Sequence, residues 1–450
     1  MNLFQLVMAS GIVNMSLCKK ILAAFVIVLG GHIGSVAASV RYGFLAISFG
    51  KRGISGKVYG FVEGSIFFGY LASFLCRRMG EALTEKITPK WTIVIMVGLQ
   101  AVSVAVSGLA DYIDDNTAFV VVSIAARVIW GLEAFPKNIA FLDIMKTLFP
   151  NKLDMMNGLM QMGYFSGHGV GEYVGVVLYE RYGYKVPFMF SSSWMVFSAI
   201  MFATILPPCP SISLTEASVG YNANEDDVAD DEETSQQTVT NWIIVPVCAC
   251  MLINCVYAFL QISTIPYLYE KFNIPLTVGG TVLVTVSAGN AIGSSLSGLI
   301  SQSGIINTYI QMAIGAGMVG LGLLLMFPTP SIPFLYNIVP YIAYPAVLLS
   351  GMGDPIITVP TLRAMTDLQT KIKGVCTGKN SISIFSIWMM GSSCACYAGA
   401  MVGGTLLEYL TYQDGAILMA SVCGFSMVIC LVIKMVEGRL GVRSDEEIGL

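Results

Sequence analysis

Several ionisable side chains lie inside long apolar segments of this sequence. They are His32, Glu63, Arg127, Glu133, Lys137 and Glu172 in the first half, and Asp354 in the second half. A charge at the centre of a bilayer costs about 2.5–3.5 kcal/mol on insertion scales, so each of these residues needs a structural or chemical reason. Carboxylates and imidazoles in such surroundings can bind protons or organic cations, and the basic groups can neutralise carboxylates or hold anions.

Asp354 is the strongest single candidate. It stands in the sequence Gly351-Met352-Gly353-Asp354-Pro355. Glycine and proline together predict an interrupted helix, and interrupted backbone at membrane depth occurs only within protein or around a water-filled cavity. A carboxylate at that point suits a cation or a proton. The alternative is a capping role, in which Asp354 satisfies the backbone amides that the interruption frees.

Arg127, Glu133 and Lys137 predict a charge network on one helix. Glu133 and Lys137 are four residues apart, so they can neutralise each other as a structural pair or take part in coupling. Arg127 needs a partner from another helix, and Glu63 and Glu172 are the candidates. An arginine held beside a carboxylate in a wet cavity can control when that carboxylate takes up a proton, as proton exchange requires.

Glu172 and His32 each leave two interpretations open. Glu172 lies between Gly171 and Gly175, where it is either a protonation site or a neutral acid hydrogen-bonded to another helix. His32 has glycine neighbours that leave room for a substrate, and histidine titrates near neutral pH. The alternative is a histidine hydrogen-bonded to a neighbouring helix.

A glycine stripe accompanies Glu172, and part of it occurs twice. Gly163, Gly167, Gly171 and Gly175 are four residues apart, which places them on one helix face. Seven residues of this region recur as the same residue type 228 positions later. Among them, Gly171 corresponds to Gly399, and Gly175 corresponds to Gly403, which is followed by Gly404. The chain therefore consists of two related halves. Small residues allow helix backbones to approach closely in lipid, so we expect these stripes to form the contact where the halves move against each other.

The composition is that of a polytopic membrane protein. Of 450 residues, 55% are hydrophobic and only 12% are charged, against about 25% charged in soluble domains. A bilayer span needs about 20 apolar residues. Such segments lie at 21–48, 58–76, 91–110, 118–142, 157–179, 187–206, 241–266, 277–300, 305–326, 337–362, 376–409 and 415–436. The predicted fold is all-α, with 12 transmembrane helices in two pseudo-symmetric six-helix bundles.

The domain plan follows from the segments between the helices. We expect an N-terminal lead-in at 1–20, a first bundle at 21–206, an acidic linker at 207–240, a second bundle at 241–436 and a tail at 437–450. If the N-terminus is cytoplasmic, 14 of the 24 lysines and arginines fall on the cytoplasmic side and six on the other. The positive-inside rule therefore places both termini and the linker in the cytoplasm.

Enzyme chemistry finds no support in the sequence. With two histidines in the chain, a histidine-rich metal site is excluded, and there is no phosphate-binding loop of the Walker type. We expect no catalytic residues, no cofactor and no metal. The expected partners are a small-molecule substrate, protons and the lipid bilayer, with no nucleic acid, and the expected state is a monomer.

Taken together, the two halves, the linker and several motifs resemble the major facilitator superfamily over about 20–436. Arg127-Val-Ile-Trp-Gly131 resembles the helix-4 motif of proton-coupled antiporters, and Gly167–Gly175 resembles their helix-5 motif, with Glu172 in place of its proline. The loop after the second helix keeps basic residues without the family's usual pattern. The resemblance implies a secondary transporter that works by alternating access.

Three stretches are similar to the vesicular amine and polyamine transporters, solute carrier family 18. They are 174–188, 268–275 and Gly351–Asp354, which matches a Gly-Met-x-Asp motif of the amine-transporting members. His32 and Met389 stand where monoamine carriers have aspartates, which favours the polyamine type. The resemblance implies proton-coupled antiport of an organic cation in a vesicle, another endomembrane or the plasma membrane. A proton-independent facilitator of a neutral or anionic metabolite, with Arg127 and Lys137 holding substrate, and a sensor that transports nothing remain alternatives.

Overall fold

The computed structural model describes residues 16–76, 86–149, 153–207, 232–329, 333–373 and 378–447. Within these ranges the regular structure is helical, and no β-strand occurs. Most of the predicted lead-in, most of the acidic linker and the last residues of the tail lie outside the described residues, so those domain predictions stay predictions.

Twelve long helices, α1 to α12, follow in the predicted order. The first six are α1 (Leu17–Ser39 with Leu45–Lys51), α2 (Gly56–Gly64 with Ile66–Leu75), α3 (Pro89–Leu109), α4 (Asn116–Leu132 with Ala134–Leu148), α5 (Leu153–Tyr182) and α6 (Lys185–Ile205). The second six are α7 (Glu232–Phe272), α8 (Leu276–Ser303), α9 (Thr308–Met326), α10 (Val339–Lys373), α11 (Gly378–Tyr409) and α12 (Tyr412–Glu447). A short helix, Pro333–Asn337, precedes α10. The all-α fold of twelve helices is confirmed.

Ten of these helices are individually long and apolar enough to cross a membrane, in the part of the chain that was searched. The other two are α5 and α11, which carry the glycine stripes. The helix α7 begins at Glu232, inside the predicted linker, rather than near 241. Below, the end of the bundle that carries Ser55 is called the Ser55 end.

Side-chain caps and glycines fix where several helices begin and end. Ser55 accepts a hydrogen bond from the backbone N–H of Val58, and Asp115 accepts one from Ala118 at 2.7 Å. These bonds satisfy amides that have no partner within the helix. Gly304, with φ of +65°, ends α8 in the left-handed conformation that glycine adopts at little cost.

The helices α1, α2 and α4 are locally irregular beside charged residues. Turn structure at 40–44 interrupts α1 around Arg41, Ser65 interrupts α2 just after Glu63, and Glu133 divides α4. Backbone carbonyls near these points find side-chain donors. Arg41 donates to the carbonyl of Ala38, and the Ser65 hydroxyl donates to that of Val62 at 2.7 Å. Irregular backbone at this depth is tolerated because such bonds replace those the helix loses.

The contacts between helices repeat from one half to the other. In the first half α1 packs on α5 and α6, α3 on α6, and α2 on α4; in the second half α7 packs on α11 and α12, α9 on α12, and α8 on α10. Each pair of the second half corresponds to a pair of the first half six helices earlier. The two most extensive contacts between the halves are α5 with α8 and α2 with α11, and these two pairs correspond to each other in the repeat. The structure is therefore two pseudo-symmetric bundles.

Most of the glycine stripe packs within each half, and the prediction that it lies between the halves is wrong for those residues. A Cβ atom at Gly163 would lie 2.6 Å from the carbonyl oxygen of Val28, and Gly167, Gly171 and Gly175 likewise face the α1 backbone. In the second half, Gly399 faces Cys255 on α7, and Gly403 faces Ile262 on the same helix. Spacing identifies the close-packed face of a helix but not the helix that packs against it.

Other small residues form the contacts between the halves. On α2 and α11, a Cβ atom at Gly60 would lie 2.8 Å from both the carbonyl oxygen of Ala400 and the Cα atom of Gly404. Gly404 is therefore the member of the predicted stripe that does lie between the halves. On α5 and α8, a Cβ atom at Gly169 would lie 2.8 Å from the Cβ atom of Ser287. Any role of these contacts in movement stays a prediction.

The packing predicts a contrast between two glycines. In Gly175→Ala, the new methyl group meets the Val40 backbone, which cannot move independently of α1, whereas a Cβ at Gly98 on α3 meets no atom within 4 Å. Overpacking of this kind costs about 1–3 kcal/mol. We expect a lower melting temperature in detergent for Gly175→Ala, and an unchanged or higher one for Gly98→Ala. Equal melting temperatures for the two variants would contradict the packing of α5 on α1.

Candidate functional site

Two arginines bind one carboxylate in the first half. Arg41 Nε lies 2.8 Å from Glu63 Oε2, and Arg127 Nη2 lies 2.9 Å from Glu63 Oε1. All three side chains are at most 3% exposed, so solvent does not neutralise them. Of the two partners that the sequence left open for Arg127, the structure selects Glu63. Because two guanidinium groups share one carboxylate, this cluster carries one net positive charge.

Aromatic rings surround the arginines. The Arg41 guanidinium lies 4.6 Å from the Tyr42 ring and 5.1 Å from the Trp130 ring, and that of Arg127 lies 5.9 Å from Trp130. The electron-rich faces of these rings stabilise the excess positive charge. Two buried polar atoms nearby, Arg127 Nη1 and the Tyr59 hydroxyl oxygen, have no hydrogen-bond partner among the described residues.

Glu133 and Lys137 form the pair that their spacing predicts. Lys137 Nζ lies 2.7 Å from Glu133 Oε2 and donates to Gln100 Oε1 on α3 at 3.2 Å. Glu133 is buried, whereas Lys137 is 18% exposed. Because each side chain satisfies the other, the pair contributes no net charge to the site.

A second polar cluster joins the two halves. The Gln261 side-chain nitrogen on α7 lies 2.7 Å from His168 Nε2 and 3.5 Å from Glu172 Oε1, both on α5. His168 Nε2 and Glu172 Oε1 are 3.9 Å apart. All three side chains are buried, and within the described part of the chain His168 Nδ1 and Glu172 Oε2 have no partner. Glu172 therefore faces the other half.

Asp354 is a buried carboxylate with one weak hydrogen bond. It is 4% exposed, and the Thr358 hydroxyl donates to its Oδ1 at 3.4 Å. No lysine or arginine side chain that the structure describes forms an ion pair with it. Its charge is therefore not neutralised by a described protein group.

The predicted interruption of α10 at Asp354 is wrong, because α10 is continuous from Val339 to Lys373 with Pro345, Pro355 and Pro360 inside it. The neighbouring glycines serve close packing instead. A Cβ atom at Gly351 would strike the carbonyl of Val286 on α8, and one at Gly353 would lie 2.7 Å from the carbonyl oxygen of Gly315 on α9. Neighbouring helices therefore support α10 on two sides, which allows prolines within a membrane helix.

His32 lies beside α5 and is hydrogen-bonded. Its Nδ1 is 3.0 Å from the Ser166 hydroxyl, which also donates to the carbonyl of Gly163 at 2.9 Å. His32 is only half-buried. This contact matches the interpretation of a histidine bonded to a neighbouring helix, although it does not test a role in proton binding.

These groups lie around one region midway along the helices. Glu172 is ten residues from the end of α5 at Tyr182, which places it roughly 15 Å from that end. Tyr257 lies near both Glu172 and Asp354, and Cys396 lies near Asp354, Arg41 and Glu63. Tyr164, which stacks on His168 about one turn further along α5, is 42% exposed. Protein atoms therefore do not enclose this region completely.

The charges of this region do not balance. The buried ionisable side chains counted here are the three carboxylates of Glu63, Glu172 and Asp354 and the two guanidinium groups of Arg41 and Arg127. With all five ionised and His168 neutral, one negative charge is in excess. In the part of the chain that was searched, no three His, Cys, Asp or Glu side chains cluster as metal ligands. A buried carboxylate without a counter-charge can bind a proton or a cation.

Sequence reasoning gave no role to Arg41, His168 and Gln261. Arg41 was detectable as a basic residue in an apolar segment without an acid on the same helix. His168 stands four residues before Glu172, which places both on one helix face. Gln261 is neutral and gives no comparable signal. Its position became evident only when α7 was placed against α5.

The comparisons agree with the architecture. The family model of the Major Facilitator Superfamily matches residues 21–378, and the chain belongs to this superfamily. It is therefore a multi-pass membrane transporter rather than an enzyme, and a transporter of this family binds small-molecule substrates within the membrane.

Among curated proteins, the chain is similar to the MFS-type transporter SLC18B1 of Homo sapiens, with 22% identity over 395 residues that cover 85% of this chain and 80% of that protein. The SLC18B1 of Rattus norvegicus is 21% identical over 81% of this chain and 76% of its own length. These matches support the resemblance to solute carrier family 18.

Solved structures of the nucleoside transporter NupG share the fold. A mutant of NupG superposes with a TM-score of 0.64 at 12% identity, covering 92% of this chain and 99% of NupG. A second NupG structure gives a TM-score of 0.60 at 15% identity, covering 93% and 98%. At these identities the likeness concerns the fold alone.

The double ion pair predicts a large effect on stability. In Glu63→Gln, two buried guanidinium groups lose their counter-charge, which we expect to cost about 3–5 kcal/mol. The matched change Asp111→Asn breaks the pair with Arg52. The side chains of Arg52 and Asp111 are 21% and 34% exposed, and an exposed pair contributes about 0–1 kcal/mol. Thermal unfolding in detergent should therefore show a large decrease for the first variant and little for the second. Similar melting temperatures would contradict the structural importance of Glu63.

Proposed function

We propose that this transporter exchanges protons for an organic cation of the amine or polyamine class by alternating access. The observation that carries the proposal is the excess carboxylate: Asp354 is buried without an ion-pair partner among the described residues, while Arg41 and Arg127 already neutralise Glu63. A buried charge without a partner is costly, so Asp354 favours the binding of either a proton or a cation.

Asp354 is the proposed cation site. It lies on α10 in the second half, near Tyr257 and Cys396. An ammonium group can bind the carboxylate, and the ring of Tyr257 provides an aromatic surface of the kind that attracts organic cations. The net positive charge of the Arg41, Glu63 and Arg127 cluster repels a cation from Glu63, which favours Asp354 as its position.

Glu172, with His168, is the proposed proton site. The carboxylate and the imidazole are 3.9 Å apart, and both contact Gln261 of the other half. Uptake of a proton by Glu172 or His168 changes which of these side chains donates a hydrogen bond and which accepts one. Among the described residues, their hydrogen bonds with Gln261 are the polar contacts that join α5 to α7. Protonation would thereby alter the contact between the halves, as coupling of proton binding to their movement requires.

The remaining predicted residues take supporting roles in this proposal. Arg127 holds Glu63 ionised and connects α4 to α2, so the pair serves as the coupling network. Glu133 and Lys137 brace α4 against α3. The positive-inside rule supports cytoplasmic termini, and a monomer in a vesicle, another endomembrane or the plasma membrane is the proposed setting. The similarity to SLC18B1 supports the substrate class through the resemblance to solute carrier family 18.

One observation favours a second function, facilitated transport of a neutral or anionic metabolite. Arg127 Nη1 is buried without a hydrogen-bond partner among the described residues, and such a donor could bind a carboxylate or a carbonyl oxygen. In that case Arg127 holds the substrate and a pH gradient has no effect on transport. A transporter-like sensor would bind a ligand but carry no flux.

Asp354→Asn tests the cation site. In proteoliposomes with an acidic interior, we expect uptake of labelled spermidine or serotonin by the wild type and at least a tenfold loss in the variant, since a bound ammonium contributes more than 1.4 kcal/mol, about a tenfold effect. Asp114→Asn is the matched control, because Asp114 is an exposed loop residue, and this variant should take up substrate at the wild-type rate. If lactate uptake is the same with and without the pH gradient and no amine is taken up, the second function replaces this proposal.

Glu172→Gln separates proton coupling from substrate binding. The amide keeps the shape and a hydrogen-bond acceptor but cannot exchange a proton, so we expect gradient-driven accumulation to be lost while exchange of labelled for unlabelled amine across the membrane continues. Measuring both reactions in one preparation controls for folding. Gradient-driven accumulation at the wild-type level would remove Glu172 from the mechanism.

A further inference from the structure

A carboxylate of the second half caps a helix of the first half at the Ser55 end. Glu408 Oε2, in the last turn of α11, accepts a hydrogen bond of 2.9 Å from the backbone N–H of Lys57, in the first turn of α2. The two residues are 351 positions apart. The first N–H groups of a helix have no partner within it and carry a partial positive charge, so an acidic side chain is favourable there.

This bond requires that the halves be in contact. Gly60 and Gly404 bring the backbones of α2 and α11 together one turn further into the bundle, and Lys57 Nζ lies 5.9 Å from the centre of the Tyr409 ring. Separation of α2 from α11 breaks the Glu408 hydrogen bond, the contact of Gly60 with Gly404 and the contact of Lys57 with Tyr409 together. The Ser55 hydroxyl, which accepts from Val58, belongs to the same half as α2 and is unaffected by such a separation.

The repeat provides an internal comparison. Glu180 on α5 is the counterpart of Glu408, and α8 is the counterpart of α2. The first residue of α8, Leu276, and Glu180 line the same polar cleft of about 440 Å³, together with Lys51 and Asp111. However, α8 has no side-chain cap, and Glu180 forms no hydrogen bond with the described residues. One of two equivalent caps is therefore formed.

We propose that Glu408 is a positioning residue for transport, which stabilises the state closed at the Ser55 end by capping α2 across the two halves. The hydrogen bond forms when α2 and α11 meet and is lost when this end opens. The proposal rests on the alternating access proposed above but not on the identity of the substrate. It assigns a function to a residue that lies outside the central charged region.

Hydrogen–deuterium exchange of the full chain in lipid nanodiscs tests this proposal without a substrate. Glu408→Ala is the main variant, because the side chain is exposed and its loss should not prevent folding. We expect exchange in residues 54–62 to rise about fivefold, the effect of losing a helix cap of typical strength. If Glu408 holds the halves together, exchange must also rise in residues 276–284, where α8 packs on α5 at the second contact between the halves.

Two further variants make the result decisive. Glu408→Gln keeps an acceptor oxygen but loses the charge, and should give a smaller increase at both places. Glu180→Ala removes the equivalent carboxylate that makes no such bond, and should leave residues 54–62 unchanged. An increase confined to 54–62 in Glu408→Ala would show a local helix cap and overturn the proposal, as would no increase at all. Failure of amine uptake would leave this result unaffected.

Discussion

The need to neutralise Glu63 in the interior of a membrane protein determines much of the first half. Two arginines from α1 and α4 converge on this carboxylate from α2, and each of these helices is irregular close to a buried charged residue. The double ion pair therefore joins three helices at one point. Because burial removes solvent from these charges, loss of one partner leaves the others uncompensated, and the three helices must keep their relative positions.

The same pairing decides which groups are left to act on other molecules. With Glu63 held by two guanidinium groups, two carboxylates of the central region have no lysine or arginine partner among the described residues: Glu172, at the contact between the halves, and Asp354, in the second half. The Arg41, Glu63 and Arg127 cluster of the first half thus carries a net positive charge, whereas Asp354 of the second half, like Glu172 on α5, carries an unpaired negative charge. This division explains why the two halves, which share a helix plan, can have different roles in one transport cycle.

The sequence predicted the helices better than their contacts. Most of the backbone hydrogen bonds in these helices are local, so local composition suffices to locate each helix. The partner of the glycine stripe could not be predicted, because spacing defines a face and not the neighbour, and Gly175 packs on α1 rather than on the other half. At Asp354, glycine and proline suggested an interruption, whereas α8 and α9 support a continuous helix. Arg127 and Glu133 were identified correctly as charges that need partners, while His168 and Gln261 become meaningful only together.

In the proposed mechanism, the excess negative charge of the central region is balanced either by a proton or by an organic cation. Proton release on ligand binding measures this most directly. Spermidine would be added to the purified protein in weakly buffered detergent solution at mildly acidic pH, with a pH indicator to count the protons. The account predicts release of protons that saturates with spermidine, at about one per chain for one excess carboxylate. Spermidine binding without proton release, or proton uptake on binding of an organic anion, would contradict it.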